Sequence, residues 1–227
     1  MTFRTRKCLV FGALALCLCA AVLYAQQQKL VPIPIEVPKL GYVGTPMNFS
    51  RISNLEKTST QARGPFLAPP GVTNVAEGKE VSSSEEYPLI GDLWMVTDGD
   101  ATQVDGNYVE LGPGKQWVQI DLESPNEIYA ILIWHYHQPR VYFDVIVQTA
   151  DDQAFSKNVQ TWFNNDTSNK LGLGAGNDKN YVDTYEGKLI DTKGVVSRYV
   201  RIYSAGNNTN DLNHFIEVQA FGRAPAE

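Results

Sequence analysis

Gln116-Trp117-Val118-Gln119-Ile120-Asp121-Leu122 puts Val118, Ile120 and Leu122 on one side of an extended chain and Trp117, Gln119 and Asp121 on the other. Side chains alternate across a strand, so the stretch reads as an antiparallel strand with one face in a core. The chain closes on the same period. Arg198-Tyr199-Val200-Arg201-Ile202-Tyr203 is followed by Phe215-Ile216-Glu217-Val218-Gln219-Ala220-Phe221-Gly222, with Ile216, Val218 and Ala220 on one face and Glu217 opposite them. Working outward, strands are expected at 92–97, 117–122, 127–136, 141–149, 159–163, 188–191, 197–203 and 214–221. These runs are rich in Val, Ile, Tyr and Trp, with Gly, Asn, Asp and Pro between them. Residues 128–134 are apolar on both faces, which marks a central strand. No helical period and no repeat is present. The expected fold is all-β, an antiparallel β-sandwich of jelly-roll type.

The ends of the 227-residue chain have other characters. Arg4, Arg6 and Lys7 precede an uncharged apolar run from Cys8 to Tyr24, and Ala25 offers a small residue for cleavage. Residues 1–25 read as a signal peptide, with an uncleaved N-terminal anchor as the alternative. All three cysteines (Cys8, Cys17 and Cys19) lie inside it, so the mature chain has none for a disulfide. Loss of that segment removes three basic residues and no acidic one, leaving 16 against 25 and a net charge of −9. Such a charge repels phosphate backbones and anionic headgroups, which excludes nucleic acid and direct lipid binding as expected roles. Residues 26–71 carry Pro32, Pro34, Pro38, Pro46, Pro65, Pro69 and Pro70 and no sustained period. They read either as an extended tether or as an ordered arm laid along the domain by Leu30, Val31, Ile33, Ile35 and Val37. The globular unit is 72–223.

Thr97-Asp98-Gly99, the Trp117 strand ending in Asp-Leu, and the two final strands closing on Glu217 and Gly222 resemble the coagulation factor 5/8 type C (discoidin) domain. That resemblance, over roughly two thirds of the chain, implies a galactose-binding-like sandwich of the bacterial carbohydrate-binding-module type. It also implies a calcium ion where the aspartate loop meets the glutamate of the last strand. The matching positions are Asp98 and Glu217, with oxygens from Asp100 and Thr102 and, beyond them, Asp105 or Asn107. Calcium takes six to eight hard oxygens, often from a tight loop that glycine allows to bend, and Gly99 supplies the bend. The other reading of Asp98-Gly99 is a plain Asx turn beside a surface glutamate. Residues 103–108 are an insertion relative to the family's short loop. The Asn- and Asp-rich stretch 164–181 reads as a surface loop, and its Gly172, Gly174 and Gly176 lack the strand-then-helix setting of a dinucleotide turn.

Trp134-His135-Tyr136-His137-Gln138-Pro139-Arg140 is the densest chemical stretch. An aromatic face and fixed guanidinium donors suit a sugar, whose apolar face stacks while its hydroxyls bond. The expected ligand-binding residues are His137, Arg140 and Tyr142, joined by Trp162, Asn213 and His214; Trp134 is expected in the core. A rival use of the same residues is a zinc hydrolase. In it His135 and His137 share one side of a strand, His214 completes three imidazoles, and Asp144 serves as base. No Gly-x-Ser-x-Gly elbow or His-Glu-x-x-His is present. The expected protein is therefore an exported, non-catalytic carbohydrate-binding module with a structural calcium ion. The alternative is an adhesion domain for a protein partner on a bacterial surface.

Overall fold

The computed structural model describes residues 29–39, 49, 51–57 and 61–225. The signal-peptide reading of 1–25 lies outside them. Thirteen strands are defined: β1 (Val31–Pro32), β2 (Leu67–Ala68), β3 (Thr73–Asn74), β4 (Val81–Ser83), β5 (Val109–Leu111), β6 (Gln116–Trp134), β7 (Val141–Tyr142), β8 (Ile146–Ala150), β9 (Gln160–Asn164), β10 (Tyr181–Val182), β11 (Lys188–Ser204), β12 (Asn213–Phe215) and β13 (Glu217–Arg223). The main sheet is antiparallel, in the order β3-β13-β6-β11-β8-β9, with β4 also on β6.

Two long strands make this sheet into a sandwich. The first half of β6 pairs with β4 and with the second half of β11, which pairs on to β8. The second half of β6 pairs with β13 and with the first half of β11. The bend falls where Glu123 takes a left-handed φ of 65° and where β11 shifts register between Asp191 and Val195 and between Ser197 and Tyr199. Such irregularities raise local twist and let a strand change layers. Val118, Ile120, Val200, Ile202 and Val147 from one half share a core with Ile131, Ile133, Val218 and Ala220 from the other. The architecture is the antiparallel sandwich of jelly-roll type.

Several strand boundaries differ from the sequence reading. The runs 117–122 and 127–136 are one strand, as are 188–191 and 197–203; the Pro125-Asn126 punctuation is a corner, not a turn. The run 141–149 breaks into β7 and β8 at Asp144, whose φ is 60°. The stretch 92–97 is a 3₁₀ turn, Leu93–Thr97, in which the Met95 N–H donates to Asp92 O. Strand 214–221 divides at Ile216, which packs on the outer side with Trp134 and Phe221 while Val218 and Ala220 face the main core. Glu217 is fully buried, because both faces of β13 are covered.

The cover comes from the proline-rich arm. Val31 and Pro32 pair with Ala68 and Leu67, and Ile33 and Ala68 pack on Ala130, Leu132, Trp134 and Phe221. Further along, Leu55 bridges Asn180, and the Arg63 guanidinium donates to the carbonyls of Glu186 and Gly187. The 164–178 loop is held by its own side chains: Asp166 accepts from the N–H groups of Lys170 and Leu171, and Asn165 Oδ1 from that of Val145. Among the described residues no helix is long and apolar enough to cross a membrane.

Candidate functional site

At one rim of the sandwich the chain leaves β6 at Trp134 and returns as β7 at Val141. Because β6 ends at Trp134, the two-residue alternation stops before the histidines, and His135 and His137 part company. His135 is fully buried; its Nδ1 lies 2.9 Å from His214 O and its Nε2 2.7 Å from the Tyr181 hydroxyl. With both ring nitrogens engaged it has none left for a metal, and burial pushes its pKa down to about 4. The expected base, Asp144, faces Lys170 at 3.4 Å instead. Among the described residues no three His, Asp or Glu side chains converge as a metal-holding group. This corrects the zinc reading.

The remaining rim residues gather around Tyr136. The Arg140 guanidinium lies 3.5 Å from the Tyr136 ring centroid, His137 at 4.0 Å and His214 at 4.5 Å, and Tyr108 meets the ring edge-on at 4.8 Å. Arg140 is 7% exposed and, among the described residues, has no carboxylate within ion-pair distance; its guanidinium donates to Asn210 Oδ1 at 3.5 Å, and His214 Nε2 lies 3.5 Å away. A guanidinium has five donors, so this one retains capacity for a ligand. Glu110, on β5, sits beside it and accepts a 3.0 Å bond from His214 Nε2. Burial, with Arg140, His135 and His137 adding to it, drives the His214 pKa down to about 3. With His214 neutral, the contact is a hydrogen bond to the Glu110 carboxyl group and not an ion pair. Burial raises the Glu110 carboxyl, an effect Arg140 opposes. His137 is also lowered, first by burial, with Asp105 at 4.0 Å working the other way.

The expected ligand residues therefore divide. His137, Arg140 and His214 come together. Tyr142 lies beneath them, fully buried and stacked on His135 at 3.9 Å, with no surface for a ligand. Asn213 is fully buried and committed to structure: Oδ1 accepts from Ser204 Oγ and Gly206 N–H, and Nδ2 donates to Gly112 O and Gly114 O. Trp162 sits on β9, at the edge of the other layer, where Nε1 donates to Thr149 Oγ1. Sequence reading missed Glu110 and Tyr108. Glu110 alternates between Val109 and Leu111 as any half-exposed strand residue would, and only the pairing of β5 with β12 sets it opposite His214.

The inserted segment 103–108 has a role at this rim. Gln103 Nε2 donates to the carbonyls of Tyr136 and Thr184, and Asp105 and Tyr108 flank His137 and Tyr136. It grows out of the Asp98 loop, where a second cluster lies. Asp98 Oδ1 accepts from the Asp100 N–H and Asp100 Oδ1 from the Thr102 N–H, so the Asx turn is real. Asn107 Nδ2 donates to Asp100 O and Thr102 O, which makes it a brace for the loop. The Gly99 N–H reaches Glu217 Oε2 at 3.4 Å, which joins the loop to the last strand; Gln219 is the other partner, also at 3.4 Å. Burial pushes Glu217 up to about 8, and the charges of Asp98 and Glu77 add to the shift.

No family model and no curated protein matches the chain. Solved structures do. A family 89 glycoside hydrolase from Clostridium perfringens, in complex with 2-acetamido-1,2-dideoxynojirmycin, aligns at 20% identity and a TM-score of 0.49. The alignment covers 68% of this chain and 15% of that one. The CBM32-4 module from the same organism, in complex with glcNAc-alpha-1,4-galactose, aligns at 20% identity and a TM-score of 0.47, over 68% of this chain and 96% of the module. A chitosan-binding module of a Paenibacillus chitosanase/glucanase aligns at 16% identity and a TM-score of 0.46, over 66% and 98%. The chain is similar to carbohydrate-binding modules.

Proposed function

We propose that this chain is an exported, non-catalytic module that binds a neutral sugar at the Tyr136 rim, and that a structural calcium ion holds the neighbouring loop. The stacking of Arg140 on Tyr136 beside Glu110 carries the reading. A sugar hydroxyl both donates and accepts, so it needs a donor and an acceptor side by side, and Arg140 and Glu110 supply them. The two charges balance, and Asp105 adds a negative one, which disfavours an acidic sugar. Binding is weak per site, because each hydroxyl bond replaces one to water. Immobilised neutral glycans retain the protein, and Arg140→Ala, confirmed as folded by its melting curve, loses about tenfold or more in affinity. Equal retention of that variant would refute the assignment.

Calcium fits the second cluster by the chemistry of its donors. Glu217 is a buried carboxylate with two long hydrogen bonds and acidic neighbours, a group that a hard cation relieves. Asp98 and Glu217 would hold the ion, with oxygens of Asp100 and Thr102 completing it. The ion supplies charge neutralisation and pins the loop to β13.

One observation favours a protein partner as a second reading. Tyr87, Leu89 and Trp94 are 78%, 60% and 63% exposed within eight residues. Where such side chains form one contiguous patch they make an interaction surface. Capture of a surface protein that free sugar does not compete away, and that Trp94→Ser abolishes, would replace the sugar reading.

A further inference from the structure

Asp183 follows β10 and is 1% exposed. Its carboxylate Oδ2 accepts from the N–H groups of His135 at 3.1 Å and Tyr136 at 2.9 Å. Its own N–H donates to Arg140 O at 2.8 Å. One residue thus grips loop 135–140 at both ends, and those ends carry the two groups that stack on each other. Asp183 Oδ1 and the Tyr142 hydroxyl are both buried and find no hydrogen-bond partner among the described residues. Such groups are rare in folded proteins and call for a reason.

We propose that Asp183 is the positioning residue of the Tyr136 rim: as a carboxylate it holds loop 135–140 in the shape that stacks Arg140 on Tyr136, and protonation weakens ligand capture. This rests on the sugar-binding reading and adds a residue and a control to it. Charge-assisted bonds to two amides are stronger than bonds to a neutral carboxyl. The carboxylate also offsets the buried Arg140 charge, as Glu110 does.

The groups facing Asp183 are Arg140, His135 and Tyr136 from the loop, Tyr142 from β7 and Tyr181 from β10. His135 stays neutral above about pH 4, and the Tyr142 and Tyr181 hydroxyls are raised well above their usual range. Asp183 itself is pushed by burial up to about 7, against the pull of the Tyr136, His135 and Thr184 amides and of Arg140. Within this group it alone changes charge near neutrality. Glu217, raised to about 8 on β13, titrates in the same pH range and has to be separated by a variant.

Asp183→Asn provides that separation, since the amide oxygen still accepts from the loop but no longer titrates. The test follows the His135 and Tyr136 amide resonances of labelled protein from pH 5.5 to 8.5, with lactose as the probe sugar. In the wild type both amides shift with a midpoint near 7, and lactose affinity rises about three- to tenfold from pH 6 to pH 8. In Asp183→Asn the midpoint near 7 is lost from both profiles, while any slope owed to His137 or Glu217 remains. Amides that do not titrate in the wild type, or a midpoint near 7 that persists in Asp183→Asn, overturn the proposal. If no form binds lactose at any pH the sugar reading loses its support, and the amide titration alone then decides the role of Asp183. Asp183→Ala, if it folds, loses affinity at every pH; wild-type affinity in that variant also overturns the proposal.

Discussion

Burial in this domain makes single residues hold or release protons at a pH where water would not. Glu217 is raised from 4.5 to about 8 and Asp183 from 3.8 to about 7, while His135 falls from 6.5 to about 4 and His214 to about 3, all chiefly by burial. A carboxyl raised by folding keeps a proton that the unfolded chain has released, so its stabilising effect fades as pH rises toward the folded pKa. A histidine lowered by folding acts in reverse and costs stability as pH falls below 6.5. Between about pH 4.5 and 6.5 the two pairs oppose each other; from 6.5 to 8 only the carboxyls act. The calcium-free domain should therefore lose stability from pH 6.5 to 8, by up to about 1.4 kcal/mol per pH unit for each proton. Glu217→Gln should flatten part of that slope. A melting temperature that climbs across this window would contradict the assignment. Gly187 makes a steric counterpart: its φ is 66°, and an added Cβ would lie 2.6 Å from the Trp134 indole. Gly187→Ala should cost about 2–3 kcal/mol in denaturant unfolding.

Elements are where sequence reading stops short. Alternation in 117–122 located a strand and its buried face correctly, since Val118, Ile120 and Leu122 all enter the core. It did not reveal that the strand runs on through Glu123-Ser124-Pro125-Asn126 into the second layer. A corner and a turn use the same residue types, and only pairing partners distinguish them: Asn126 lies opposite Ser197 on β11. The arm shows the same limit from the other side. Its apolar residues permitted either a free tether or a docked cover, and Leu132, Trp134 and Phe221 required a cover. Ile33→Asp should accordingly lower stability by about 2 kcal/mol or more, with an earlier thermal transition. A free tether would show no change.

For the whole molecule, the proposed calcium ion would act through net charge. Asp98 and Glu77 both act by charge on the buried Glu217. An ion there at a hundred times its dissociation constant adds about 2.7 kcal/mol. For a domain of this size that is a rise of about 5–10 °C in melting temperature, reversed by chelator. An unchanged melt with and without chelator would remove the ion from the account.

Composition and two-residue periodicity determined the fold class and the central strand, because burial of alternate side chains is a local property of the chain; the density of aromatic, imidazole and guanidinium groups marked Trp134–Arg140 as the place to look. Tertiary structure alone decided which polar residues meet there. His137, Arg140 and His214 are joined by Glu110, Tyr108 and Asp183 across separations of about thirty to one hundred residues. It also sent Tyr142, Asn213 and Trp162 elsewhere. Hydrogen-bond partners and desolvation depend on which strands lie side by side, and no spacing within one strand encodes that.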